Sequence, residues 1–421
     1  MNDCIELYIH IPFCVRKCSY CDFLSIGNAE EMYADYKEAL LREIRSSTAL
    51  LEGRRISTVF FGGGTPTVWP AAFLTEVLSA VRSAAEVAED AEISIEANPG
   101  TISEEKCSML LEGGFNRISI GCQSMDNEQL RILGRIHTRE MAEEAFRAAR
   151  AAGFRNINMD LISAVPGQSL SSWRDTLERT ADLEPEHISA YSLILEEGTP
   201  LYEQQEQFIF PSEDEEREMY EMTHDILAGR GYRQYEISNY AKPGRECRHN
   251  IGYWTGTEYL GLGIGAASLL GNRRLHSGTV AEQEDVPAGC GMQAETCSPL
   301  QDSLPGASGK TDGAGTVQAS AASLVRQYIA AADPSSLRIT EEVLSREDRM
   351  SEFMILGLRM TDGISREQFR ERFAVLPEEV YGQALEKYTR LRLLEYAEDG
   401  SRLRLTREGI SLSNQVLQEF M

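Results

Sequence analysis

The chain has 421 residues, of which 42% are hydrophobic and 25% charged, an ordinary balance for a globular protein. Its 41 basic and 66 acidic residues give a net charge of −25, which argues against a nucleic-acid partner because phosphate binding needs a basic surface. No apolar run reaches the roughly 18 residues of a membrane span, and the first residues lack a signal-peptide pattern. We therefore expect a cytoplasmic protein without a transmembrane segment.

From the start to about residue 195, short β-type runs alternate with helix-type segments. The predicted strands are residues 7–11, 58–61, 93–97, 117–121, 157–161 and 187–195. The predicted helices between them are residues 31–45, 72–86, 104–112, 139–152 and 171–183. Successive βαβ units predict an α/β fold with a parallel sheet. This number of strands favours a partial (β/α)6 barrel, whose functional residues gather where strands end.

The later sequence divides the chain further. We predict a barrel with a following Gly-, Tyr- and Trp-rich segment over residues 1–280, and a flexible low-complexity insertion over residues 281–322. The insertion holds Cys290 and Cys297, which we interpret as incidental; they could form a metal pair, but no further Cys or His lies in the insertion to complete a site. Residues 323–421 are predicted to form a small helical, winged-helix-like domain, with a hairpin over residues 394–405. This domain is not strongly basic, so we expect a structural or docking role.

The chain has nine cysteines, an odd total that argues against a disulfide framework. Three of them lie close together. Cys14, Cys18 and Cys21 form a C-x3-C-x2-C pattern directly after the first predicted strand. A structural zinc site normally takes four ligands, and Cys4 and His10 are poorly placed to supply the fourth. An iron–sulfur cube on three thiolates would leave one iron open to an exchangeable ligand. The spacing alone leaves both alternatives open.

Further segments follow successive predicted strands. Residues 61–67 read F-G-G-G-T-P-T, and glycine lets the backbone press against a ligand, although such a turn alone is a weak signal. Glu96, Gln123, Arg135 and Asp160 lie at or near later strand ends. Carboxylates suit ribose hydroxyls, the glutamine amide donates or accepts, and arginine supplies a fixed positive charge. Each taken singly is typical of a surface or capping residue.

The segments in this order resemble the radical-SAM superfamily, with Y-I-H-I-P-F-C-V-R-K-C-S-Y-C-D-F at residues 8–23. Over residues 4–277 and again in the C-terminal part, the chain resembles the oxygen-independent coproporphyrinogen III oxidase branch. The resemblance implies a [4Fe-4S] cluster on Cys14, Cys18 and Cys21. It also implies an S-adenosylmethionine site, whose lining residues are Tyr8, Tyr20, Gly63, Gly64, Thr65, Glu96, Gln123, Arg135 and Asp160.

At two points the chain departs from the true oxidase and resembles the haem chaperones of this branch. Phe23 stands where the oxidase has another cysteine, and the oxidase carries an N-terminal extension before its cysteine loop. Residues 249–254 also match H-N-x-x-Y-W, a motif associated with haem binding in those chaperones. The resemblance makes His249 the candidate axial ligand, because imidazole binds haem iron, and Cys247 a weaker one. Without the resemblance, residues 249–254 are typical of a packed edge whose polar tips are hydrogen-bonded. His276 is expected to be a structural histidine.

The resemblance therefore implies a haem chaperone that binds haem as cargo and transfers it to acceptor haemoproteins, with a [4Fe-4S] cluster and S-adenosylmethionine. The alternatives are an oxygen-independent coproporphyrinogen III oxidase, a radical methyltransferase of the same branch and, least favoured, a zinc-binding scaffold. Whether the chain is an enzyme that cleaves S-adenosylmethionine stays open, as does contact with a membrane surface.

Overall fold

The computed structural model describes residues 4–278 and 315–421. Its strands are β1 (Cys4–Ile11), β2 (Phe13–Cys14), β3 (Ile26–Gly27), β4 (Arg55–Gly63), β5 (Glu86–Ala97), β6 (Arg117–Gln123), β7 (Ile157–Ser163), β8 (His187–Ser192), β9 (Arg233–Gln234), β10 (Asn239–Ala241), β11 (Tyr259–Leu262), β12 (Ala267–Leu270), β13 (Arg273–Ser277), β14 (Arg338–Val343), β15 (Ile364–Ser365), β16 (Leu394–Tyr396) and β17 (Arg402–Leu405). Its α-helices are α1 (Tyr33–Ser46), α2 (Thr48–Leu51), α3 (Ala71–Ala84), α4 (Glu104–Glu112), α5 (Asn127–Ile132), α6 (Arg139–Ala152), α7 (Leu170–Asp182), α8 (Pro200–Glu203), α9 (Glu213–Gly229), α10 (Arg248–Thr255), α11 (Gly315–Ala330), α12 (Arg346–Gly357), α13 (Arg366–Phe373), α14 (Pro377–Arg390), α15 (Arg407–Ser411) and α16 (Ser413–Leu417).

A single large sheet organises the first part of the chain. Its strand order is β14-β13-β12-β11-β1-β4-β5-β6-β7-β8-β10-β9. The strands from β11 to β8 run parallel, and the outer strands on both sides pair antiparallel. Within the described residues the ladder ends at β14 and β9, so it is open. This confirms the predicted α/β fold with a mostly parallel sheet, although the sixth predicted strand ends earlier, at Ser192.

The strands are buried on both faces, which places polar residues inside the fold. In β1, Ile5, Leu7 and Ile9 belong to the hydrophobic core beneath the helices. The alternate residues Glu6 and Tyr8 are also buried and point to the opposite face, because successive side chains of a strand alternate. The same alternation along β5 puts several polar side chains in the interior.

The register of the sheet brings two functional loops together. β1 and β4 pair in parallel, with Tyr8 opposite Phe60 and Ile11 opposite Gly63. Because parallel strands end at the same edge of a sheet, the cysteine loop after β1 and the glycine turn after β4 leave side by side.

The C-terminal part has its own core, which runs from Met350 to Phe420. Helices α12 to α14 lead into a three-stranded sheet in the order β15-β17-β16, so the predicted helices and hairpin are present. The predicted domain boundary at residue 323 stays a prediction, but Tyr328 of α11 packs in the first core and β14 extends the main sheet.

The predicted insertion lies mostly outside the described residues, as do Cys290 and Cys297. Its last part, residues 315–322, belongs to α11, and the flexibility of the insertion stays a prediction. Later residues of that helix pack on the first core, where Val325 and Tyr328 are fully buried.

A buried carboxylate ties the chain after residue 314 to the barrel. Glu43 of α1 is fully buried and accepts hydrogen bonds from Arg338 Nη2 at 2.9 Å and Tyr328 Oη at 2.6 Å. The backbone amide of Gly263 donates a third hydrogen bond at 2.8 Å. Glu43 thus joins α1, β14, α11 and the loop after β11.

We predict that Arg338→Met destabilises the protein by about 3–5 kcal/mol, because it leaves the Glu43 carboxylate buried without its cation. The free energy of unfolding, measured by urea denaturation, checks this. Arg131→Met is the control, since its pair with Glu128 is exposed and should contribute little. Equal losses in the two variants would contradict the expectation.

Candidate functional site

The three cysteines of the C-x3-C-x2-C pattern lie in one loop at the edge where the parallel strands end. Cys14 closes β2, and the amide of Cys21 donates to the carbonyl of Cys18 at 3.4 Å. Ser19 fixes the loop, because its amide donates to Leu133 O at 3.1 Å and its carbonyl accepts from the amide of Leu201 at 2.8 Å. Burial, with a smaller contribution from the nearby Cys18 and Cys14, raises the pKa of the Cys21 thiol to about 12.

The donor set of this loop suits an iron–sulfur cluster. Its three thiols are free, and in an iron–sulfur cube each thiolate binds its own iron. A structural zinc site normally takes four ligands. In the described part of the chain, no group of three or more His, Cys, Asp or Glu side chains is arranged to hold a single metal ion.

The glycine turn after β4 lies directly against the cysteine loop. The amides of Gly64 and Thr65 donate to Ile11 O at 2.9 Å and Phe13 O at 2.7 Å. A Cβ on Gly64 would lie 2.6 Å from Phe13 O, so only glycine permits this approach. The adjacent Gly63 adopts a φ of 110°, a conformation that also favours glycine. The contact places the Thr65 hydroxyl 3.6 Å from Cys14 Sγ, to which it donates.

Arg135 reaches the same loop from the segment after α5. Its Nη1 donates to Cys18 Sγ at 3.4 Å, and its Nη2 donates to Gly121 O at 2.8 Å and to Asn98 Oδ1. Tyr20 also contacts this guanidinium. Arg135 therefore places a fixed positive charge beside the cysteines.

The predicted carboxylates lie deeper along neighbouring strands. Asp160 of β7 accepts from Ser119 Oγ at 2.8 Å and Asn158 Nδ2 at 2.7 Å. Burial, together with the charge of Asp160, raises the pKa of Glu96, on β5, to about 8. Gln123 ends β6 in a left-handed conformation, with a φ of 68°. Together these side chains form a polar surface that can accept hydrogen bonds from hydroxyl groups.

The structure thus brings most of the predicted residues together and leaves one apart. Thr65 donates to Cys14 and Arg135 donates to Cys18, and Asn98 links Thr65 to Arg135. Tyr8 of β1 lies near Glu96, because a Cβ on Gly62 would meet both Tyr8 Cε2 at 3.0 Å and Glu96 Oε2 at 3.2 Å. His249 lies elsewhere in the interior.

His249 belongs to α10 and is almost fully buried, with 1% of its surface exposed. Its Nδ1 lies 2.6 Å from Thr58 Oγ1, and its Nε2 lies 3.0 Å from Tyr253 Oη. Its ring stacks on Phe60 with the centroids 5.0 Å apart. Burial lowers the pKa of the imidazole to about 3, and the charge of Arg117 contributes. This geometry matches the alternative interpretation of the H-N-x-x-Y-W run, a packed edge with hydrogen-bonded polar tips. To bind haem iron, the imidazole would have to leave Thr58 or Tyr253.

The sequence did not point to the residues that hold α10. Glu92 of β5 accepts from the amides of Arg248 at 2.9 Å and His249 at 3.3 Å, and from Cys247 Sγ at 3.4 Å. It therefore caps the helix N-terminus with negative charge. Cys247 is fully buried, which raises the pKa of its thiol, so it is not exposed to a ligand. The sequence signal that could have identified Glu92 is its even spacing from Glu96. Residues two or four apart in a strand point to the same face, so both side chains lie on the inner face of β5.

Comparisons with known proteins agree with this site. Residues 8–180 match the model of the Radical SAM superfamily, and residues 344–412 match the HemN C-terminal domain. The structure titled "Coproporphyrinogen III oxidase (HemN) from Escherichia coli is a Radical SAM enzyme" superposes with a TM-score of 0.76, over 100% of this chain and 90% of that one. At 23% identity this likeness shows the shared fold. Fold and site together define a radical-SAM protein.

Relatives at higher identity define the family more closely. The protein named Heme chaperone HemW of Lactococcus lactis is 34% identical, over 98% of this chain and 96% of its own length. The Bacillus subtilis protein of that name is 32% identical over 98% of both chains. The Escherichia coli one is 41% identical, over 62% of this chain and 69% of its own. The chain belongs to the HemW family.

In the part of the chain that the structure describes, no helix is both long and apolar enough to cross a membrane.

We predict that Gly64→Ala loses most of its iron after anaerobic reconstitution, because its Cβ would collide with the Phe13 carbonyl and displace the cysteine loop. Iron and sulfide per chain measure the effect. Gly382→Ala is the matched control, since a Cβ there meets no atom within 4 Å. Wild-type iron content in Gly64→Ala would refute the expectation.

We further predict that His249 makes the protein less stable in acid. Its folded pKa of about 3 lies below the ordinary 6.5, so the unfolded state binds more protons and stability falls as the pH drops through 6.5. From about pH 7.5 to pH 5 the loss due to this residue should be about 2 kcal/mol. Urea denaturation of His249→Gln should show a smaller loss than wild type, and equal pH dependence would count against it.

Proposed function

We propose that this chain is a haem chaperone, which binds haem and delivers it to acceptor haemoproteins. The observation that carries the proposal is its likeness, over nearly the whole of both chains, to the Lactococcus and Bacillus proteins named Heme chaperone HemW. Phe23 supports it, because an exposed phenylalanine replaces the additional cysteine expected of a true oxidase. We place the protein in the cytoplasm, in line with its sequence.

The family implies a [4Fe-4S] cluster and S-adenosylmethionine, and we assign the cluster to Cys14, Cys18 and Cys21. When bound, the cluster supplies one-electron chemistry beside the sulfonium of S-adenosylmethionine. We assign the methionine end of S-adenosylmethionine to residues 63–65, whose backbone runs directly beside the cysteine loop. We assign the remaining contacts to the side chains that line the inner surface, which are Tyr8, Tyr20, Glu96, Gln123, Arg135 and Asp160.

Haem binding at His249 requires a change from the described conformation. The imidazole must give up its hydrogen bonds to Thr58 and Tyr253 before either nitrogen can bind iron. The C-terminal part also holds α10, because the guanidinium of Arg359 lies 4.5 Å from the ring centroid of Trp254. We propose that haem binds when α10 moves away from these contacts, and that the cofactor state controls its release to the acceptor.

Anaerobic haem titration of the reconstituted protein tests this, with the Soret band as the readout. We expect saturable binding that weakens about tenfold or more in His249→Ala, because the iron loses a ligand worth at least about 1.4 kcal/mol. Tyr253→Phe frees Nε2 and keeps the ring, so it should bind haem at least as tightly as wild type. His276→Ala, a buried histidine of β13, is the control and should bind normally.

The same preparations, incubated with coproporphyrinogen III and S-adenosylmethionine, separate the alternatives. A chaperone should yield no decarboxylated porphyrin. Protoporphyrinogen that forms only with S-adenosylmethionine, without specific haem binding, would make the chain an oxidase. A methylated product with consumption of S-adenosylmethionine would make it a methyltransferase. Wild-type haem affinity in a folded His249→Ala would move the ligand to another residue.

A further inference from the structure

A single residue holds two of the side chains that donate hydrogen bonds to the cluster cysteines. Thr65 Oγ1 donates to Cys14 Sγ at 3.6 Å, and Arg135 Nη1 donates to Cys18 Sγ at 3.4 Å. Asn98, which follows β5, lies between the donors. Its Nδ2 donates to Thr65 Oγ1 at 2.7 Å, and its Oδ1 accepts from Arg135 Nη2.

The chemistry of these groups fixes the direction of every hydrogen bond. Arginine has only donors, so the amide oxygen of Asn98 must face Arg135. The amide nitrogen of Asn98 then faces Thr65, whose oxygen has to accept. The single hydroxyl hydrogen of Thr65 is therefore left for Cys14. Asn98 therefore links the guanidinium of Arg135 to Thr65 and orients the Thr65 hydroxyl so that it donates to Cys14.

The position of Asn98 is itself tightly determined. Its carbonyl accepts from the amide of Thr101 at 3.0 Å and from the Thr101 hydroxyl at 2.7 Å, which closes a turn after β5. A Cβ on Gly121 would lie 2.6 Å from Asn98 Oδ1, so the opposing strand approaches it closely. The amide thus has little freedom to rotate away from its two partners.

The geometry points to Asn98 as a positioning residue that aims both donors at the cluster thiolates and raises the reduction potential of the cluster. A hydrogen bond to a thiolate ligand stabilises the more negative, reduced form of a cluster, and such bonds are among the determinants of its potential. The inference rests on the cluster that the family implies. It does not depend on haem delivery, so the two proposals can fail separately.

The test is a redox titration of the reconstituted full chain under anaerobic conditions, followed by the electron paramagnetic resonance signal of the reduced cluster. Asn98→Ala should shift the potential to more negative values, with a reduced-to-oxidised ratio about tenfold lower at a fixed potential, or about 59 mV for one electron. In a Thr65→Val background the same change should have a smaller effect, because one of the two donors that Asn98 positions is already absent.

Asn116→Ala is the matched control. This asparagine also bridges backbone groups, to Ala91 O at 2.7 Å and from the amide of Ile93 at 2.8 Å, but it does not contact a cysteine loop residue. It should lower stability without moving the potential. An unchanged potential in Asn98→Ala with full iron content overturns the inference. If Asn98→Ala fails to hold iron, Thr65→Val decides, since an unchanged potential there overturns it equally.

Discussion

The site depends above all on a backbone contact between two turns. β1 and β4 pair with Ile11 opposite Gly63, so the chain leaving each strand runs beside the other, and Thr65 N reaches Phe13 O at 2.7 Å. Gly64 permits this contact because a Cβ would occupy the position of the Phe13 backbone. The hydroxyl of Thr65 meets Cys14 only because the turns are this close. The surroundings of the cluster are therefore set first by sheet register and one missing side chain.

The same parallel sheet gives the protein a polar interior. Strands buried on both faces turn Glu6, Glu92 and Arg117 inward, and buried charges require compensating partners. Glu92 finds them in the amides at the start of α10, and the charge of Arg117 interacts with those of Glu92 and Asp160. The helix that carries the H-N-x-x-Y-W run is thus part of the interior of the barrel and compensates its charge. This explains why His249 is sealed off from solvent in the described conformation.

The sequence allowed the main elements to be predicted, because alternation along strands such as β1 is a local signal. It also allowed the single loop of Cys14, Cys18 and Cys21 to be predicted, because their close spacing is local too. It did not allow Asn98 to be recognised, since its role depends on three segments that meet only in the folded sheet. For His249 the sequence left two alternatives, and only the positions of Thr58 and Tyr253 show which hydrogen bonds form. Val325 and Tyr328 of α11 pack on the first core, a contact between segments distant in sequence that the local pattern does not indicate.

The charge of Arg117 acts both on the candidate cofactor site and on the helix that carries the H-N-x-x-Y-W run. Burial raises the pKa of Glu96 and Asp160, and the guanidinium of Arg117 opposes the rise in both. The same guanidinium adds to the effect of burial in lowering the pKa of His249. Tyr8, Phe60 and His249 also stack in sequence, with centroid distances of 6.3 and 5.0 Å. Because fields in a buried region are weakly screened, a change in charge at either end of this interior acts on groups at the other.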